Sequence, residues 1–168
     1  RRHGAMLRVG PETLDGALPR ATLPTSPWTP ADAYADGRLF HGPAFQAIER
    51  IDNLGGEGAS ATLRGSDDLE RWLARPRPLD PAALDGMLQL ALLCGLQRFG
   101  GPSLPLSIER CEISATPGRG PYRCELRVLD GSNQHTRCDA TLVDADGRVV
   151  VRLTGLSMYA LPRVAAAE

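Results

Sequence analysis

The sequence predicts an α+β domain in which one antiparallel sheet curls around a single long helix. Three observations carry this reading. Residues 80–100, DPAALDGMLQLALLCGLQRFG, are apolar on nearly every side of a helix. The strands within residues 122–154 instead alternate apolar and polar with period two, as strands with one wet face do. The connections between those stretches are short and rich in Gly, Asp, Asn and Ser, as between antiparallel neighbours.

The elements follow in order. Met6-Leu7-Arg8-Val9 reads as a short strand. A connector over 18–30 carries Pro19, Pro24, Pro27 and Pro30, which remove backbone donors and favour extended chain. The expected organisation is therefore a preceding unit and linker over 1–29, the domain proper over 30–162, and a tail over 163–168. The opening RRHGAMLRVGPE is expected to be a cut edge of a longer chain. Thr29-Pro30 suits the start of a short helix over 31–35. Gly42-Pro43 forces a turn within Leu39–Gln46. Strands over 48–54 and 58–63 flank a Gly55-Gly56 turn, and a surface helix over 69–74 follows Ser66 and the acids Asp67 and Asp68. Asp80 caps the long helix, Pro81 takes its first position, and Gly100-Gly101-Pro102 end it. Strands are then expected over 106–115 and from Tyr122, Arg137 and Val149 onward, with turns at 117–120, 130–133 and 144–147.

Composition narrows the function. A chain of 168 residues buries an ordinary core without staples. A net charge of −1, with both signs scattered, argues against nucleic acid. The longest apolar run, 87–96, is broken by Gln89 and falls well short of the roughly 20 residues of a membrane span. No apolar signal segment is visible at the start. Four cysteines without a CxxC pair read as small buried hydrophobes in a reducing cytoplasm, and no metal is expected.

Asp85 and Gln89 interrupt the apolar helix four residues apart, so both project from one side. This stacked carboxylate and carboxamide form the first candidate site. On the residues alone, Asp85 is either a buried acid or a second-turn acid facing water. Gln89 either bonds Asp85, touches a substrate, or satisfies neighbouring backbone.

Three ordered motifs resemble those of polyketide synthase dehydratase domains. Leu79-Asp80-Pro81-Ala82-Ala83-Leu84-Asp85-Gly86-Met87-Leu88-Gln89 resembles the family's HPxxLDxxxQ helix start. Phe40-His41-Gly42-Pro43-Ala44-Phe45 resembles its YGPxF element, and Leu104-Pro105-Leu106-Ser107-Ile108 its LPFxW element. Leu153-Thr154-Gly155-Leu156 is similar to its closing strand. The resemblance implies a hot-dog fold, and over residues 30–162 the C-terminal half of a double hot-dog. Asp80, His41, Leu39 and Ile108 depart from the family's His, Tyr, Tyr and Trp. His41 makes the chain look more like iterative bacterial synthases of the polyunsaturated-fatty-acid and enediyne types. The first-half motif HxxxGxxxxP is absent, since Leu7 stands where a glycine should follow His3.

What the resemblance implies is dehydration of β-hydroxyacyl thioesters on an acyl carrier protein within a cytoplasmic type I polyketide synthase. Asp85 would be the acid and a histidine of the other half the base, with no cofactor beyond the carrier's phosphopantetheine. For that role Asp85 must hold a proton, which burial in an apolar pocket supplies. Gln89 would orient Asp85. His41, Gly42, Pro43, Phe45, Leu104 and Pro105 would line the substrate channel, although a histidine at a turn also serves structure alone. The expected partners are the N-terminal hot-dog half, the acyl carrier protein and, over the uncovered face, a second copy. Scaffolding or acyl binding without catalysis, thioester hydrolysis, and isomerisation or cyclisation remain alternatives on the same scaffold.

Overall fold

In a computed structural model, the structure describes residues 6–9, 14, 22–69 and 79–162. Seven strands form one sheet: β1 (Met6–Val9), β2 (Ile48–Gly55), β3 (Gly58–Leu63), β4 (Ser103–Ile113), β5 (Tyr122–Gly131), β6 (His135–Val143) and β7 (Val149–Ala160). Their order is β1-β4-β7-β6-β5-β3-β2. The six strands β2–β7 pair antiparallel, as expected, while β1 joins the edge parallel to β4. The short helix α1 (Pro30–Tyr34) precedes β2, and the long helix α2 (Pro81–Phe99) lies between β3 and β4.

The helix boundaries follow the local chemistry. Thr29 caps α1 through a reciprocal box with Asp32, whose Oδ2 accepts the Thr29 backbone N–H at 2.8 Å. Asp80 caps α2 by accepting from the N–H groups of Ala82 and Ala83 at 3.0 and 3.1 Å. The same carboxylate accepts from Ser66 Oγ at 2.8 Å, so it also ties down the 3₁₀ turn Ser66–Asp68. Gly100 ends α2 in the left-handed conformation (φ 64°).

Helix α2 packs against every strand from β2 to β7, so the sheet curls round it. Met87, Leu90 and Leu93 are completely buried. Each contributes roughly 1.5–3 kcal/mol by leaving water, more than the roughly 1 kcal/mol of a cap, so packing holds the helix. This is the architecture of the hot-dog fold.

The structure corrects the reading of α2 as buried on nearly all sides. Leu84, Asp85, Leu88, Leu92 and Leu96 form a half-buried stripe at helical spacing, of which Leu84, Leu88 and Leu92 pack against the edge of the core. Composition could not reveal this face, because its residues are as apolar as those that meet the sheet.

Period two held best in β5, where Tyr122, Cys124, Leu126 and Val128 are buried and Arg123 and Arg127 exposed. In β7 it breaks at a bulge opposite Asp139, whose Oδ1 accepts the Gly155 N–H at 2.9 Å. The extra residue lets Leu153 and Leu156 both face inward. Val150, on the expected wet face, is buried because the 114–121 connection folds over it: Ser114 N–H bonds the Val150 carbonyl at 2.9 Å. Two turns lie one or two residues later than expected, after Gly55 and after Gly131. Most of the helix expected over 69–74 lies outside the described residues, as do residues 163–168 and most of 1–21. Among the described residues, no helix is long and apolar enough to cross a membrane.

Candidate active site

The site forms where the second turn of α2 meets the segment between α1 and β2. Gln89 is completely buried, and its amide is held by three hydrogen bonds. The Tyr34 hydroxyl donates to Gln89 Oε1 at 2.6 Å. Gln89 Nε2 donates to the Phe45 carbonyl at 2.7 Å and to Asp85 Oδ2 at 2.6 Å. Two constraints fix which way this amide faces. The Tyr34 oxygen already accepts the Ile48 N–H at 2.9 Å, so its own proton is free to go to Oε1. The Phe45 carbonyl accepts only, so the amide nitrogen must face it.

Asp85 therefore receives a donor on Oδ2. Among the described residues, no hydrogen bond reaches Oδ1. The deep burial expected of Asp85 is not what the structure shows: its side chain keeps 35 % of its exposure. The reason is geometric, since the half-buried stripe of α2 carries it away from the sheet.

His41 stands beside it, with Nε2 3.5 Å from Asp85 Oδ2 and only 10 % of its side chain exposed. Phe40 stacks on the imidazole at 4.3 Å between ring centroids, and Gln46 Nε2 donates to the His41 carbonyl at 3.4 Å. The forced turn at Gly42-Pro43 becomes a 3₁₀ turn, Pro43–Phe45, closed by Phe45 N–H to the Gly42 carbonyl at 2.8 Å. That turn presents the Phe45 carbonyl to Gln89, while the Phe45 ring is half exposed. Gly42 and Pro43 are exposed on the same turn.

Leu104 and Pro105 open β4 beside Ser103, which packs against Gly95, ten residues along α2 from Asp85. Asp80, at the position of the family's histidine, serves the cap and the Ser66 turn rather than this site.

Sequence reasoning missed Tyr34. Burial pushes its hydroxyl up to about 12, against smaller lowering contributions from the Ile48 N–H bond and the Arg64 charge. It therefore stays a donor at any ordinary pH. A lone tyrosine in a five-residue helix carries no sign of a partner so far along the chain.

The family model described as the polyketide synthase dehydratase N-terminal domain matches residues 10–168. Among solved structures, the chain is similar to GphF dehydratase 1 at 24 % identity, with a TM-score of 0.63 over 88 % of this chain and 54 % of that one. The dehydratase domain of a mycocerosic acid synthase-like polyketide synthase gives 21 % identity and a TM-score of 0.62 over 87 % and 55 %. The dehydratase domain from the CurH module of the curacin synthase gives 21 % and 0.60 over 79 % and 47 %. The chain thus spans about half the length of these structures, and at such identities the likeness speaks for the fold. The match of the family model over nearly the whole sequence goes further: this chain belongs to the polyketide synthase dehydratase family.

Proposed function

We propose that this chain is the acid-bearing, C-terminal half of a dehydratase in a cytoplasmic type I polyketide synthase. The reaction converts a β-hydroxyacyl thioester, carried on an acyl carrier protein, to the α,β-enoyl thioester. The observation that carries this is Asp85 held through Oδ2 by a fully buried, orientation-locked Gln89, while Oδ1 has no hydrogen bond among the described residues. The family description names an N-terminal domain. We assign the other half because the helix motif supplies Asp85 and Gln89, whereas no His-xxx-Gly-xxxx-Pro begins at His3.

In this reading a base in the other half removes the α-proton while Asp85 Oδ1–H protonates the departing β-hydroxyl, and water leaves. Gln89 contributes geometry: it keeps the acid proton on the oxygen that faces substrate. The half-buried stripe of α2 is the wall against which the other half docks. No cofactor beyond the carrier's phosphopantetheine enters the step.

The test is incubation of the complete two-half dehydratase with a β-hydroxyacyl carrier-protein thioester. Enoyl product is expected, and Asp85→Asn should lower its rate by at least about 10²-fold with the fold intact. Wild-type protein that forms no enoyl product makes this a scaffolding or acyl-binding domain, and release of free acid makes it a thioesterase. The 168-residue chain alone should be inactive.

A further inference from the structure

We propose that Asp80 is a positioning residue for the acid: its carboxylate sets where Asp85 stands by fastening the first turn of α2 to the end of β3. The proposal rests on the dehydratase reading above and deepens it. Asp80 makes no hydrogen bond to Asp85, Gln89, Tyr34 or His41 among the described residues, so it acts on the site through the helix. The family's motif has histidine at this position, so a carboxylate clamp here is not part of that motif.

A helix cap has one task, to accept the free N–H groups of the first turn. Asp80 does more. Its Oδ1 accepts the Ala82 and Ala83 N–H groups at 3.0 and 3.1 Å and also the Ser66 hydroxyl at 2.8 Å. Its Oδ2 accepts the Ser66 N–H at 2.9 Å. One carboxylate thus joins the start of α2 to a residue 14 positions earlier, and Ser66 is buried. The chain leaves room for this approach. A Cβ at residue 65 would lie 2.9 Å from Asp80 Oδ2 and 3.1 Å from Tyr122 Cε2, and Gly65 has none.

The end of β3 is the fixed side of the clamp. Leu63 is completely buried and lies against Gly86, and the Arg64 N–H bonds the Ala47 carbonyl at 2.8 Å. Ser66 follows directly, so a helix start held at Ser66 is held relative to the sheet. Asp85 therefore stands between two clamps on one helix. Asp80, five residues before it, ties α2 to the end of β3. Gln89, four residues after it, ties α2 to Tyr34 and to the Phe45 carbonyl. Five residues of helix rise only about 7.5 Å. Leu84 N–H bonds the Asp80 carbonyl at 3.0 Å, so that short span is helical from its first turn. A displaced helix start is carried directly to Asp85, and a shift of about 1 Å in a catalytic group costs up to about 10²-fold in rate.

The experiment separates capping from clamping. Serine caps a helix as well as aspartate does, but its side chain is one bond too short to bridge to Ser66. Asparagine caps equally well and keeps one oxygen for the Ser66 hydroxyl. Both remove the charge, so the difference between them reads the bridge alone. In the complete dehydratase, Asp80→Ser should lower kcat about tenfold with KM little changed, and Asp80→Asn no more than about threefold. Equal losses, or no loss, overturn the proposal. Action through Asp85 has its own signature: in an Asp85→Asn background, Asp80→Ser should lower the residual rate no further. A loss there as large as in the wild-type background overturns it too. A last readout needs no activity. The carboxyl ¹³C resonance of Asp85, identified by its disappearance in Asp85→Asn, should move more on Asp80→Ser than on Asp80→Asn, and equal movement overturns the clamp. A complete domain that makes no enoyl product removes the dehydratase reading, while this resonance still decides whether Asp80 sets the place of Asp85.

Discussion

Tyr34 and Gln89, 55 positions apart, are joined by a 2.6 Å hydrogen bond, and that bond sets which end of the Gln89 amide meets Asp85. A short capped helix before the sheet thereby controls an acid on the central helix. Tyr34→Phe removes one hydroxyl and leaves two groups unpaired, Gln89 Oε1 and the Ile48 N–H. The expected cost is about 2–4 kcal/mol of unfolding free energy, read from urea denaturation. Turnover of the complete dehydratase should fall about tenfold, in kcat more than in KM, because the acid is misaimed rather than lost.

The same hydroxyl makes stability depend on alkaline pH. Burial raises Tyr34 to about 12 from an ordinary 10.0, so between those values the folded chain holds a proton that the unfolded chain has released. Stability is therefore complete below about pH 10 and declines as pH rises toward 12. Tyr122 is also raised by burial and adds to the decline. The gap in urea midpoint between wild type and Tyr34→Phe should narrow from pH 9 to pH 11, by about the order of the hydrogen bonds lost. A gap that is constant with pH would show that Tyr34 ionises as freely folded as unfolded.

Much of this arrangement was legible in the sequence because it is periodic. Asp80, Pro81 and Gly100 bound α2 as expected, and β5 alternates cleanly. Asp85 and Gln89 stood out because two polar residues four apart on an apolar helix must share a side, and they bond each other at 2.6 Å. What stayed hidden depends on contacts between distant segments. Neither the Tyr34–Gln89 bond nor the approach of His41 to Asp85 leaves a local pattern. The open stripe of α2 was invisible for the opposite reason: leucine at 84, 88, 92 and 96 reads the same whether it meets a sheet or water. Phe45 also supplies a backbone carbonyl that holds Gln89, a role its side chain could not signal.

Gln89→Glu tests the direction of the amide. The change replaces a donor with an acceptor that lies against two acceptors, the Phe45 carbonyl at 2.7 Å and Asp85 Oδ2 at 2.6 Å. An uncompensated charge in a fully buried position is expected to cost roughly 3–5 kcal/mol. Protonation of the introduced carboxyl restores a donor, so the penalty should shrink at acidic pH. Stability curves at about pH 5 and about pH 8 check this, and a penalty that grows at low pH would mean the amide faces the other way.

Gly86 lies between Asp85 and Met87 on the side of α2 that meets the sheet, and a Cβ built there would sit 3.0 Å from Leu63 Cδ1 and 3.1 Å from Ala47 Cβ. For Gly86→Ala, the gain in helix propensity of about 1 kcal/mol opposes this crowding, and stability should change little. Gly86→Val adds two further methyls with nowhere to go, and overpacking of this kind costs about 1–3 kcal/mol. The site should feel it as well. Ala47 sits between Phe45, whose carbonyl accepts from Gln89, and Ile48, whose N–H bonds Tyr34. Displacing Ala47 moves both anchors of the Gln89 network at once. Gly86→Val should therefore lower turnover of the complete dehydratase by more than Gly86→Ala does, with loss of stability by urea denaturation in the same order. If valine is accepted as readily as alanine in both measurements, the close approach of α2 to this segment does not hold the acid in place.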